Sequence, residues 1–113
     1  MNRFMIVVNP DKDTDSTVTN RIQSYLEAHG AACMVRDVFH LESSDWEALK
    51  KEQFDCVLVL GGDGTLLRMA GETEDIDIPL FGINLGTVGF LTEGEVANIE
   101  EILDRLLTDD FTI

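Results

Sequence analysis

Gly61-Gly62-Asp63-Gly64 places one carboxylate among three residues that lack side chains. It follows an apolar run, Val57-Leu58-Val59-Leu60, and precedes the helix-compatible Thr65-Leu66-Leu67. Glycines at such a junction let the backbone take positive φ or approach a ligand with no Cβ in the way. The first N–H groups of the following helix lack intrahelical partners and favour an anion such as a phosphate. Asp63 would repel that anion unless it serves a metal or accepts a proton. The plainer alternative is a tight strand-to-helix turn with Asp63 as its N-cap. No Gly-Lys-Ser/Thr follows, so the loop is not a P-loop, and its spacing is not G-x-G-x-x-G.

A second stretch has the same build. Pro79-Leu80-Phe81-Gly82-Ile83-Asn84 runs into Leu85-Gly86-Thr87-Val88-Gly89-Phe90-Leu91-Thr92-Glu93. This is again an apolar strand delivering a glycine-rich loop.

The remaining elements must hold these loops together. Phe4 to Val8 is continuously apolar and reads as a strand buried on both faces. Asn9 to Asp13 is the turn after it, where Lys12 is either a phosphate contact or a solvated loop lysine. Val18, Ile22, Tyr25, Leu26 and His29 share one face of a helix from Thr17 to His29, capped by Asp15 or Ser16 and stopped by Gly30. Ala31 to Val35 reads as a second strand, and Arg36 to Ser43 as irregular. Ser44-x-x-Glu47 reads as a capping box opening a short helix to Glu52, with Trp46 as a packing residue. Cys56 to Leu60 is the third strand, followed by a helix from Thr65 to Ala70 that Gly71 ends. Leu80 to Ile83 is the fourth strand, and Val96, Ile99, Leu103, Leu106 and Leu107 mark a helix from Glu95 to Thr108. Alternating strands and helices predict an α/β fold, a parallel sheet with helices on both faces. Ligands of such sheets bind at the carboxyl ends of the strands, where both glycine loops emerge.

The two stretches together resemble the signatures of the NAD kinases, in "GGDGTLLR" and in "GINLGTVGFLTE". The first is shared with lipid kinases and phosphofructokinases; the second is the more specific. The resemblance implies the three-layer, Rossmann-like or phosphofructokinase-like N-terminal domain of that family. It implies Mg²⁺-dependent transfer of a phosphoryl group from ATP or polyphosphate to the 2′-hydroxyl of the adenosine ribose of NAD, giving NADP. Asp63 matches the family's catalytic aspartate. Gly61, Gly62, Gly64, Thr65, Arg68, Gly86, Gly89, Phe90 and Leu91 match positions around NAD and the phosphates. No protein-borne metal ligand is implied, and Mg²⁺ is expected to arrive with ATP. The family has a second, β-rich domain, which is not found in residues 1–113. The chain therefore reads as a single domain from a longer, homo-oligomeric enzyme and is expected to be inactive alone. An apolar patch is expected where the second domain docks. The rival readings are a lipid or sugar kinase domain of the same superfamily and a non-catalytic nucleotide-binding module.

Composition agrees with one ordinary domain: 113 residues, 44% hydrophobic, with a formal net charge of −14. That charge argues against nucleic-acid or anionic-membrane partners. No apolar run approaches the ~18 residues of a membrane span. Cys33 and Cys56 read as reduced thiols in strands, which with the lack of a signal pattern points to a cytoplasmic location. Neither has partners at metal-ligand spacing. His29 and His40 read as ordinary helix-end or surface residues.

Overall fold

A computed structural model describes residues 2–13, 16–51, 54–85 and 93–108. Its elements are β1 (Arg3–Val8), α1 (Thr17–Ala28), β2 (Ala32–Asp37), a 3₁₀ turn (Val38–His40), α2 (Ser43–Lys51), β3 (Cys56–Gly61), α3 (Asp63–Glu72), β4 (Leu80–Asn84) and α4 (Glu93–Leu107). The four strands form one sheet in the order β2-β1-β3-β4, and every pairing is parallel.

The sheet is covered on both sides because its central strands are continuously apolar over Phe4 to Val8 and Cys56 to Gly61. Phe4, Ile6, Cys56, Leu58 and Leu60 face Ile22 and Leu26 of α1 and Leu103 and Leu106 of α4. Met5, Val7, Val57 and Val59 face Leu49 of α2 and Met69 of α3, with Trp46 packed beside them. Successive side chains alternate faces, so a strand must be apolar throughout to feed two cores. This is the predicted three-layer α/β arrangement. Across the first face, the Tyr25 hydroxyl donates to the Asp104 carboxylate. That bond raises the Tyr25 pKa to about 12.

Several local expectations change. Helix α1 is not capped by Ser16, which sits in the left-handed region at φ 57° and makes no side-chain cap bond; Asp15 lies outside the described residues. Asp13 does the capping. Its carboxylate accepts from the Val18 and Thr19 amides at 3.2 and 2.8 Å and from the Thr19 hydroxyl at 2.6 Å. Gly30 stops the helix as expected, at φ 88°. Helix α2 begins at Ser43, and the Asp45 carboxylate accepts from the Glu42 amide at 2.9 Å, so the side chain that reaches back is Asp45 and not Glu47. Strand β2 runs on through Arg36 and Asp37, because these continue its pairing with Val7 and Val8. Helix α3 passes through Gly71 to Glu72, since the Thr73 amide and hydroxyl both bond the Met69 carbonyl and complete its last turn.

Both cysteines are free. Each pairs in register with Phe4, from opposite sides. That puts their Cα atoms two strand spacings, or roughly 9–10 Å, apart, beyond disulfide reach. Burial first, then Asp55, pushes the Cys56 thiol up to about 12. Burial first, then Glu27, pushes Cys33 up to about 11. Neither thiol is a nucleophile at neutral pH.

Candidate functional site at the carboxyl edge of the sheet

Strand β3 delivers the GGDG segment where the fold requires it. Gly61 is the last residue of the strand, buried, and in register with Asn84 of β4. A Cβ there would lie 2.8 Å from Thr65 Oγ1, 3.1 Å from Thr65 Cβ and 3.2 Å from Asn9 Cβ. Gly61 is therefore glycine because α3 and the end of β1 crowd it. Gly62 takes the N-cap position of α3 at φ −110°, ψ −171°, and Asp63 is the first helical residue. Two expectations are corrected by this geometry. Asp63 is not the N-cap, because the strand extends one residue further and Gly62 fills that position. The loop also needs no positive φ, because extended backbone carries the turn; among the described glycines only Gly30 uses that region.

A Cβ added at Gly62 or Gly64 would meet nothing within 4 Å. Gly62 has no side chain to cap the first amides of α3, and such amides lack intrahelical acceptors. The first helical bond is Leu66 N–H to the Gly62 carbonyl, at 3.2 Å. The Asp63 side chain lies outside the described atoms.

Thr65 points inward. It is 9% exposed, and its hydroxyl accepts from Asn9 Nδ2 at 3.4 Å. Sequence reasoning did not single out Asn9. Its amide donates to the Leu60 carbonyl at 2.8 Å, its Oδ1 accepts from the Asp11 amide at 3.0 Å, and its carbonyl accepts from the Lys12 amide at 3.0 Å. One residue thus joins β1, β3 and the first turn of α3. The available signal was an asparagine directly after an apolar strand and directly before Pro10.

Arg68 is not brought to the glycine loop. It bonds Glu72 at 3.3 Å on the surface of α3. It lines a groove of about 310 Å³ with Phe39, Leu41, Trp46, Lys50, Asp75 and Ile76, and no described residue of 61–65 belongs to that lining. Arg68 therefore faces α2, while Leu67 beside it is 72% exposed.

The second loop starts on the same edge. The Leu85 amide donates to the Gly61 carbonyl at 3.0 Å, so the chain leaves β4 against the glycine turn. Gly86, Gly89, Phe90 and Leu91 lie outside the described residues. Gly82 helps to seat α3, since a Cβ there would lie 2.9 Å from Leu66 Cδ2. Among the described residues no group of three or more His, Cys, Asp or Glu side chains is arranged to hold a metal. No described helix is long and apolar enough to cross a membrane.

The carboxyl edge thus brings together a glycine N-cap at α3 and the exit of β4. In comparison with known families, residues 4–111 match the model of the ATP-NAD kinase N-terminal domain. The chain belongs to this family. Similar proteins carry the name NAD kinase. That of Agathobacter rectalis is 39% identical over 114 residues, covering 98% of this chain and 40% of that protein. That of Lachnoclostridium phytofermentans is 38% identical, covering 100% of this chain and 40% of that protein. The Thermococcus gammatolerans protein is 36% identical, covering 98% and 41%. The chain thus spans about 40% of the length of the curated relatives it matches. In this ATP-NAD kinase N-terminal domain, the GGDG segment forms the β3–α3 junction.

Proposed function

We propose that this chain supplies the phosphoryl-transfer half of an NAD kinase. The observation that carries the reading is the β3–α3 junction, with its open Gly62 and Gly64 and its uncapped α3, lying against the exit of β4 in a chain matched over residues 4–111. In this reading the 2′-hydroxyl oxygen of the adenosine ribose of NAD attacks the terminal phosphorus of ATP or polyphosphate. A new O–P bond forms, the bond to the departing phosphate oxygen breaks, and the hydroxyl proton passes to the Asp63 carboxylate. An alcohol is a poor nucleophile, and a carboxylate within hydrogen-bond reach lowers that barrier. The α3 amides at Asp63, Gly64 and Thr65 orient a phosphate, and Gly61 with Asn9 keeps them in place. Gly86, Gly89, Phe90 and Leu91 are proposed to line the adenine side. Arg68 has no part in the transfer itself, since it belongs to the rim of the α2–α3 groove.

Mg²⁺ fits this chain as an ion carried by the donor. Such an ion keeps several waters and is held largely by substrate phosphates rather than by a protein cage, which leaves Asp63 to accept the proton. When bound, the ion neutralises charge on the phosphates.

The remainder of the natural protein is proposed to complete the NAD pocket, with the exposed Leu67 as part of the surface it covers. The free thiols favour a cytoplasmic location. NADP formation from NAD and Mg-ATP or polyphosphate, assayed on the natural protein that contains this chain, tests the reading; NADP formation surviving undiminished in Asp63→Asn would sink it. The 113-residue chain by itself is expected to form no NADP. A second reading is a nucleotide-binding module without catalysis. That reading predicts NAD binding with no turnover in the natural protein.

A further inference from the structure

We propose that Lys12, in the turn that Asn9 holds against the glycine junction, is the cation that takes the terminal phosphates of the phosphoryl donor. This rests on the kinase reading above and names a residue that reading lacks. A triphosphate is a polyanion, and the chain carries a formal net charge of −14. Transfer from it depends on local positive charge at the reacting end.

The other cations are placed elsewhere: Arg3 opens β1 at the opposite edge, Arg21 of α1 lies beside Glu100, and Arg105 of α4 beside Glu101. Arg68 bonds Glu72 and lines the α2–α3 groove. Arg36, near the carboxyl end of β2, is bound by Asp45 at 2.8 Å and by the Val35 carbonyl at 2.7 Å. Lys50 and Lys51 close α2, which returns from the carboxyl edge, so they sit towards the opposite end of the sheet. Lys12 is left at the right edge, and its position is fixed by bonds already described. Val8 pairs with Leu60, the Asn9 amide bonds the Leu60 carbonyl, and the Lys12 amide closes a turn on the Asn9 carbonyl. Asn9 Nδ2 meanwhile bonds Thr65 in the first turn of α3. The turn bearing Lys12 and the first turn of α3 are therefore held by one asparagine. A lysine suits this task, as a compact charge on a flexible stem that follows a phosphate without needing a planar bidentate partner.

The shared ligand chemistry is a chain of phosphates, from ATP or from inorganic polyphosphate. The experiment compares Lys12→Met, Lys12→Arg and Lys51→Met in the natural protein, with NADP formation measured against Mg-ATP and, separately, magnesium tripolyphosphate. Lys12→Met should raise the KM for the donor about tenfold and leave that for NAD unchanged. Lys12→Arg should restore most of it, and Lys51→Met, which removes the same charge at the far end, should shift it by less than about twofold. The donor whose KM moves more is the one the turn serves. A donor KM for Lys12→Met that matches Lys51→Met overturns the proposal while leaving the kinase reading intact. If the parent forms no NADP from either donor, the kinase reading fails. Calorimetric titration of the same proteins with the two donors then decides on Lys12 alone. Weaker binding only in Lys12→Met supports it, and equal binding or none overturns it.

Discussion

The turns after β1 and β3 leave the same edge of the sheet and each starts a helix, yet they are finished in opposite ways. After β1 the chain is rich in polar side chains, and it spends them on itself. Asp13, only 4% exposed, occupies the Val18 and Thr19 amides and the Thr19 hydroxyl, with Ser16 held in left-handed backbone to let it reach. After β3 the chain has almost no side chains, and α3 begins at Gly62 without a cap. One helix start is closed by a carboxylate of its own turn; the other begins at a glycine with no side chain to close it. Glycine in place of a capping side chain costs only a few tenths of a kcal/mol, so the glycine start of α3 gives up little stability, and in the proposed function its amides serve a phosphate.

The largest effect expected from breaking this contrast is chemical. Asp63→Asn keeps the shape of the open turn and removes the proton acceptor. In the natural protein, NADP formation should fall by about 10²- to 10⁴-fold, with NAD affinity changed far less. Steady-state kinetics with NAD varied checks it.

Next comes the crowding that positions the open turn. Gly61→Val puts a branched side chain where even a Cβ would stand 2.8 Å from Thr65 Oγ1 and 3.2 Å from Asn9 Cβ. Overpacking of this kind costs about 1–3 kcal/mol. Thermal unfolding should show the loss, and nucleotide binding should weaken with it because α3 must shift.

Breaking the closed turn should instead cost mainly stability. Asp13→Ala leaves two backbone amides and a buried hydroxyl without their acceptor, for about 1–2 kcal/mol. Denaturant unfolding measures this, and NAD binding should change far less than in Gly61→Val, because the Asn9 bonds to Leu60 and Thr65 remain. A binding loss as large as that of Gly61→Val would mean that Asp13, and not Asn9 alone, seats the turn after β1.

These variants also separate what is legible in the sequence from what is not. The strands are legible, because β1 from Phe4 and β3 throughout are continuously apolar and only a doubly covered sheet explains that. The β3–α3 junction is as well, because the absence of side chains over three residues is itself a local signal. Capping is not. Asp13 works across five and six residues, through a left-handed Ser16 that nothing in the composition demands. Arg68 escapes for a similar reason. Its direction depends on which neighbour flanks α3, and Trp46 and Lys50 of α2 are on that side. Asn9 stays hidden because its partners, Leu60 and Thr65, are brought to it only by strand pairing.

A smaller, pH-dependent effect separates a third helix start from these two. Burial pushes the Asp45 pKa up, but the Glu42 amide and the Arg36 guanidinium outweigh it and hold the carboxyl below its ordinary value. A depressed pKa contributes stability that is fully present above the unfolded value of about 3.9. That contribution is lost as pH falls through the lower folded value. Unfolding followed from about pH 6 downwards should therefore show the advantage of the parent over Asp45→Asn shrinking below about pH 4.

The smallest change in stability is the most informative, because it should carry the opposite sign to its effect on binding. Gly62 sits at φ −110°, ψ −171°, which any residue can adopt, and a Cβ there meets nothing within 4 Å. Gly62→Ser therefore places a hydroxyl at the N-cap without strain and turns the open helix start into one like that of α1. Exchanging glycine for serine at an N-cap is worth only a few tenths of a kcal/mol, so thermal unfolding should move slightly upwards. Phosphate-bearing ligands should bind less well, because the new hydroxyl competes for the amides of the first turn of α3. The two readouts moving in opposite directions would tie the open amides to the ligand. A variant that gains stability and binds as before would show that these amides are open for no purpose, and the contrast between the two turns would then be one of packing alone.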